Sequence, residues 1–184
     1  MTTHDAILNE IEAIFTANGD NRYSEAVTQR EHALQAARQA EGAGSASPLI
    51  TAALLHDIGH MLHKFGPEPA AQGIDDKHED IGAGWLAKRF GPAVSEPVRL
   101  HVDAKRYLCA VEPDYFDALS PASVRSLELQ GGLMLAEELE AFENGPDFSA
   151  AVALRRWDEG AKISGAHTPD FAYYLFHISA SLNG

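Results

Sequence analysis

Cysteine is nearly absent from this chain. Cys109 stands alone, so no internal disulfide can form, and that usage fits a reducing compartment. Positive charge is also scarce: 14 Lys and Arg face 27 Asp and Glu, giving a formal net charge of −13 and a pI of about 5.0. A field of that sign argues against nucleic acid or an anionic membrane surface as partner. It still allows an anion pocket, because a few local cations override the global field. No apolar run approaches the ~20 residues of a membrane span. The opening stretch MTTHDAILNEIEAIF is acidic and too short in its apolar runs for a signal peptide, so a cytoplasmic protein is expected. Strand-like alternation, internal repeats, low-complexity tracts and a G-x-G-x-x-G motif are all missing, which removes β-sheet, solenoid and dinucleotide-binding readings.

What the chain does contain is helical periodicity. Its 184 residues, 45 % apolar and 22 % charged, predict one domain over 1–184 with a substantial core. Ile7, Leu8, Ile11, Ile14 and Phe15 recur at helical spacing and Gly19 stops them. A second helix is predicted over 25–41, ended by Gly42 and Gly44. Ser47-Pro48 reads as an N-cap with a first-turn proline, launching the helix that ends in LLHD. A Gly/Pro-rich loop at about 66–75 follows, either a lid or a passive connection. Asp76 with Glu79 reads as a capping box for a helix running to Phe90. Further helices are predicted at 94–111, from Ser120-Pro121 to Gly131-Gly132, at 134–143, at 147–161 and after Thr168-Pro169. The fold class is all-α.

The chemistry concentrates around LLHDIGH, residues 54–60. A buried histidine beside a buried aspartate is costly unless something pairs with both, and a metal ion does so. On a helix, neighbours point about 100° apart, so His56 and Asp57 can flank one metal, or Asp57 can bridge two. His32, His78, His101 and Asp158 supply further donors on other predicted helices. Four imidazoles and two carboxylates are too many for one tetrahedral zinc. Two ions sharing a carboxylate fit better, and a donor set without thiolate suits iron or manganese over a soft metal. Taken singly, each histidine is better explained as an ordinary core or surface residue; it is the His56-Asp57 pair that favours a metal.

The order H…HD…H…H…D on a helical chain resembles the HD-domain superfamily, and the extra histidines resemble its six-ligand, mixed-valent diiron oxygenase branch. The strings EHALQAA, AALLHDIGH, KHEDIGAGWL, HVDAKRYL, SLELQGG and RRWDEGAK, spread over 25–162, are similar to the bacterial oxygenases that cleave the carbon–phosphorus bond of 1-hydroxyphosphonates. That resemblance implies two Fe ions, Fe(II) and Fe(III), and the hydroxyphosphonate and O2 as small-molecule partners. His32, His56, Asp57 and Asp158 would hold one iron, and Asp57 would bridge to a second held by His78 and His101. Asp57, His60 and Lys105 would be catalytic. His60, Lys105 and Arg155 would face the substrate, with Gln130 and Ser126 within reach.

Spacing supports part of this. Lys105 follows His101 by four, Arg155 precedes Asp158 by three, and Glu25 precedes His32 by seven, so each pair shares a helix face. The ordinary alternatives are a solvated Lys105, an Arg155 merely paired with Asp158 or Glu159, and a His60 that only orients a ligand. In the family's gating stretch Glu25 keeps its position, but the tyrosine position falls on Arg22, with Tyr23 shifted by one. That change leans the substrate expectation to 1-hydroxy-2-(trimethylammonio)ethylphosphonate, giving glycine betaine and phosphate. The alternative is the 2-amino compound, giving glycine. Tyr23, Trp85, Tyr107, Trp157, Tyr173 and Tyr174 are the aromatic faces available to a quaternary ammonium. A metal-dependent phosphohydrolase and a non-catalytic metal sensor are the rival functions.

Overall fold

The protein is described from a computed structural model covering residues 2–23, 26–63, 65 and 69–183. Among these residues every regular element is a helix, apart from two isolated bridges, Arg22 with Thr28 and Phe90 with Leu182. The α-helices are α1 (Thr3–Asn18), α2 (Gln29–Gly42), α3 (Ser47–Leu55), α4 (Ile58–Leu62), α5 (His78–Leu86) and α6 (Pro92–Val111), then α7 (Pro113–Asp117), α8 (Pro121–Leu129), α9 (Ala136–Glu143), α10 (Phe148–Gly160) and α11 (Phe171–Ser181). A short 3-10 turn at Pro69–Gln72 precedes α5. No helix is long and apolar enough to cross a membrane.

α3 organises the core. Its sequence SPLITAALL has no polar face, and Ile50 to Leu55 are all buried, as expected of a helix surrounded by others. α2, α6, α10 and α11 pack around it. Leu54, Leu55, Ile58, Leu86, Val98, Leu154, Tyr174 and Ile178 form one continuous apolar cluster, each side chain contributing about 1.5–3 kcal/mol on burial. α3 therefore ends inside the protein, and the residues after it, His56 and Asp57, are delivered to the interior. α6 packs against α3, α5 and α10, which brings the elements carrying the predicted donors within reach of that point.

Several predicted boundaries move. α2 starts at Gln29 behind Thr28, whose hydroxyl and Glu31 make a capping box; Glu25 lies outside the described residues. Ser47 is the first helical residue rather than the cap. Ala46 takes that place, and the Ser47 hydroxyl meets His177 Nδ1 at 3.0 Å. Asp76 is not a helix cap either. α5 begins at His78 behind Lys77, and the Asp76 carboxylate is drawn away to imidazole N–H donors. α5 stops at Leu86 rather than Phe90, which pairs with Leu182. The five-residue α7 is too short to leave a periodic signal. The last helix is capped by Asp170, whose side chain accepts from the Tyr173 N–H.

Candidate metal centre and anion pocket

Asp57 stands at the meeting point of two imidazole pairs. Its Oδ2 lies 3.3 Å from His56 Nε2 and 3.5 Å from His32 Nε2. Its Oδ1 lies 3.5 Å from His78 Nε2 and 3.6 Å from His101 Nε2. Within each pair the Nε2 atoms are 3.1 Å apart. Asp158 Oδ1 joins the first pair, 3.3 Å from His32 Nε2. All six side chains are buried. The bend that seats Asp57 needs Gly59: a Cβ there would sit 2.0 Å from the His78 carbonyl oxygen, so only glycine lets α4 lie against the start of α5.

The outward-facing nitrogens show which atoms are free to bind. Nδ1 of His32, His56 and His101 faces the carbonyl of Ala161, Ala53 and Val98, at 2.9, 2.9 and 2.6 Å. Carbonyls only accept, so each Nδ1 carries the proton and each Nε2 presents a lone pair to the centre. His56 and His101 use one local device, turning back on the carbonyl three residues earlier. His78 Nδ1 faces Asp76 Oδ1 at 3.0 Å. Two lone pairs at 3.1 Å repel unless a proton or a cation lies between them. Two donors each about 2.1 Å from one ion, at right angles, stand about 3 Å apart. The residues therefore fit a metal at each pair, with Asp57 shared.

Without a cation, a proton takes its place at the first pair: His56 carries one on Nε2 as well as on Nδ1. Burial disfavours charge on His56, yet Asp57 and Asp158 draw its imidazole up to about 10. Burial, aided by the positive field of His78, presses His101 down to about 3. Burial alone would raise the Asp57 and Asp158 carboxyls; the histidines and, for Asp158, Arg155 hold both well below the usual range. Cys109 is buried beside Leu119 and Leu127, so the donors at the centre are imidazole and carboxylate, a set that suits iron or manganese.

A cation pair stands next to the centre. Lys105, one turn beyond His101 on α6, is buried and gives its ammonium to Gln130 Oε1 at 2.7 Å and Ser126 Oγ at 2.8 Å. Burial, then the charge of Arg155, brings its pKa down to about 7. Arg155 bonds Asp158 Oδ2, Glu159 Oε2 and, through Nε, the Tyr115 hydroxyl at 2.7 Å. Burial opposes its charge, but Asp158, Tyr115 and Glu159 keep it protonated. Three of the five guanidinium N–H groups are taken by these partners.

Four other side chains complete the surroundings. Tyr23 stacks on His32 with ring centroids 3.7 Å apart and directs its hydroxyl at Asp158 Oδ1, 3.3 Å away. Arg22 is exposed, its backbone bridging to Thr28. His60 stacks on His78 at 4.0 Å, binds Asp76 through Nδ1 at 2.8 Å and leaves Nε2 4.0 Å from Asp57 Oδ1. His63 also meets Asp76, at 2.9 Å. The sequence did not point to His63 or Tyr115 at this site, offered Asp76 only as a helix cap, and named Glu159 only as an ordinary partner of Arg155, which it is. The D-x-H spacing of Asp76 and His78 is the sole local hint, and nothing local points from Tyr115 to an arginine 40 positions away.

Comparison with known proteins closes the identification. An HD-domain family model matches residues 30–141. A hydroxymethylphosphonate dioxygenase of Gimesia maris is 51 % identical over 166 residues, covering 90 % of this chain and 83 % of that protein. The glycine-betaine-forming [1-hydroxy-2-(trimethylamino)ethyl]phosphonate dioxygenase of Leisingera caerulea is 44 % identical over 169 residues, covering 91 % and 86 %. An uncharacterised protein of Acanthamoeba polyphaga mimivirus is 34 % identical over 176 residues, covering 90 % and 78 %. A helical HD fold, a bridging aspartate between two imidazole pairs and these two dioxygenase relatives place the chain in the HD-domain phosphonate dioxygenase family, as an oxidoreductase.

Proposed function

We propose that this enzyme binds two irons and uses O2 to cleave the carbon–phosphorus bond of hydroxymethylphosphonate, releasing formate and phosphate. The observation that carries the reading is Asp57, with one oxygen on each of two imidazole pairs and a buried cation pair alongside. His32, His56, Asp158 and Asp57 Oδ2 would hold one ion; His78, His101 and Asp57 Oδ1 would hold the other. When bound, such a pair supplies a Lewis-acidic anchor for the hydroxyl and phosphonate oxygens and a site for O2 activation. The balance is HOCH2PO3²⁻ + O2 → HCO2⁻ + H2PO4⁻, with the C–P bond broken and C1 oxidised.

The chain's own residues do the positioning. Lys105 keeps one ammonium N–H beyond those given to Ser126 and Gln130, and Arg155 keeps two N–H groups, so three donors remain for phosphonate oxygens. These cations let a chain of net charge −13 hold a dianion. His60 donates its Nδ1–H to Asp76, and burial with the charge of His78 keeps the ring neutral. Its Nε2 can then accept a proton from the substrate hydroxyl at C1. Tyr23, its phenol kept protonated first by burial and then by Asp158, covers the open side of the His32 position and excludes water.

The substrate assignment turns on what is not assembled around the donors. Of the aromatics offered for a quaternary ammonium, Tyr23 is, among the described residues, the one packed on a candidate donor. Trp85 stacks on Arg89, Tyr107 bonds Glu143, Tyr173 bonds Glu41, and Trp157 and Tyr174 pack into the apolar core. Hydroxymethylphosphonate needs no such cage, and the 51 % identical relative acts on it by name. The second reading is the trimethylammonio compound, carried by the name of the 44 % identical relative. A cytoplasmic single domain over 1–184 completes the proposal.

The test is phosphate release from the iron-loaded chain with hydroxymethylphosphonate and with the 2-amino and 2-trimethylammonio 1-hydroxyethylphosphonates. The expected result is kcat/KM at least tenfold higher for the first, with formate as co-product. A preference for the trimethylammonio compound would transfer the assignment to the second reading. Equal turnover without O2 would point to the phosphohydrolase and end the oxygenase reading.

A further inference from the structure

Asp76 is outside the six side chains assigned to the metals, yet four N–H groups converge on it. Its Oδ1 lies 3.0 Å from His78 Nδ1 and 3.4 Å from the His78 backbone nitrogen. Its Oδ2 lies 2.8 Å from His60 Nδ1 and 2.9 Å from His63 Nε2. His63 Nδ1 accepts the Phe65 backbone N–H at 3.3 Å, so the His63 proton sits on Nε2 and points at Asp76. A carboxylate offers about four lone-pair sites, and here all are occupied. The group is buried.

The backbone is bent to make this contact. Lys77, between Asp76 and His78, has φ 52° and ψ 36°, and among the described residues no other non-glycine has a positive φ. Such a conformation in a lysine is sustained only where its surroundings impose it. It folds the Asp76 carboxylate over the ring two residues on. His32, His56 and His101 rest Nδ1 on neutral carbonyls, whereas His78 rests on an anion. A second carboxylate oxygen, Glu79 Oε2, is buried without a hydrogen-bond partner 3.5 Å from the same nitrogen. A carboxylate behind a ligating imidazole fixes the ring and strengthens it as a donor.

We propose that Asp76 is the positioning residue of the His78–His101 metal position, one oxygen fixing the ligand His78 and the other fixing the substrate-facing His60. Ligand and substrate contact are set in register by a single side chain. The inference rests on the two-ion reading above.

Asp76→Asn tests it. Asparagine keeps the shape but turns an NH2 toward ring N–H groups, so at most one of its two faces still accepts. Metal-free wild type and D76N are titrated with Co(II), followed by calorimetry and by the visible bands of the bound ion, with a thermal melt to show that both are folded. Wild type takes up two equivalents. D76N keeps one at wild-type affinity and binds the second about 10–100-fold more weakly, with kcat falling as that position empties. If D76N does not fold, proton resonances of the wild-type Zn(II) form decide. The Nδ1–H protons of His60 and His78 then lie downfield of the carbonyl-bound ones of His32, His56 and His101. D76N weakening both positions alike while folded, or neither, overturns the inference, as does the absence of those downfield protons. Wild type taking up one equivalent overturns the two-ion reading and the inference with it.

Discussion

Replacing Gly59 by alanine puts a methyl carbon 2.0 Å from the His78 carbonyl oxygen, 2.7 Å from its carbonyl carbon and 2.9 Å from its Cα. Non-bonded carbons settle at about 3.5–4.0 Å, so α4 and the start of α5 must part by about 1 Å or more. All three atoms are backbone, so no rotamer change relieves the clash. The separation acts where the two proposed metal positions would join, because Asp57 and His60 lie on one side of the contact and His78 on the other. An overpacked contact of this kind costs about 1–3 kcal/mol, or roughly 2–4 °C of Tm per kcal/mol in a chain of this size. A misplacement of about 1 Å costs about 100-fold in rate. The assay pairs thermal melting with phosphate release. Gly84→Ala is the control: Gly84 is exposed on α5, the helix Gly59 packs against, with nothing within 4 Å of an added Cβ, so a gain of about 0.5–1 kcal/mol is expected. A Gly59→Ala variant that melts with wild type and keeps its activity would refute the argument that this glycine seats the bridging aspartate.

Chelation of the metals should lower Tm, and metal returned at 100 times its Kd should restore about 2.7 kcal/mol per site. Binding should release protons at neutral pH, read by calorimetry in buffers of different ionisation enthalpy, because the metal-free His56 is held up to about 10. Lys105→Met is expected to lose about 100-fold or more in kcat/KM while holding or raising Tm, since the buried ammonium is disfavoured in the fold. The unfolded lysine, at about 10.4, keeps its proton after the folded one at about 7 has lost it. Wild type therefore gains stability as pH rises from 7 to 10, by at most about 1.4 kcal/mol per pH unit, and K105M lacks that slope in denaturant titrations. Tyr115→Phe removes the acceptor of Arg155 Nε; a loss of about 1 kcal/mol and a raised KM with little change in kcat are expected.

The legible part of this protein lay in short-range features. Apolar spacing gave the helices, and the absence of alternation excluded a sheet. LLHDIGH announced a buried histidine and aspartate because a run as apolar as TAALL cannot end in solvent. Boundaries that depended on competing partners were less legible. Asp76 has the spacing of a helix cap, but three ring N–H groups outbid the backbone for its carboxylate. Ser47 reads as a cap and is taken by His177 from α11. The sequence left Arg22 and Tyr23 as alternatives beside the donors, and only the packing shows that Tyr23 stacks on His32.

Composition and periodicity, acting locally, determined that the chain is helical, acidic and rich in imidazole and carboxylate at helix ends. Tertiary packing alone decided which of nine histidines face one another, that Asp57 divides its oxygens between two pairs, and that Asp76 meets three imidazoles and Tyr115 an arginine. Those facts depend on distances between segments far apart in sequence, as His32 and Ala161 are by 129 positions. Only the burial of α3 among α2, α6, α10 and α11 sets such distances, because buried charges and lone pairs are tolerated where every partner is supplied at once.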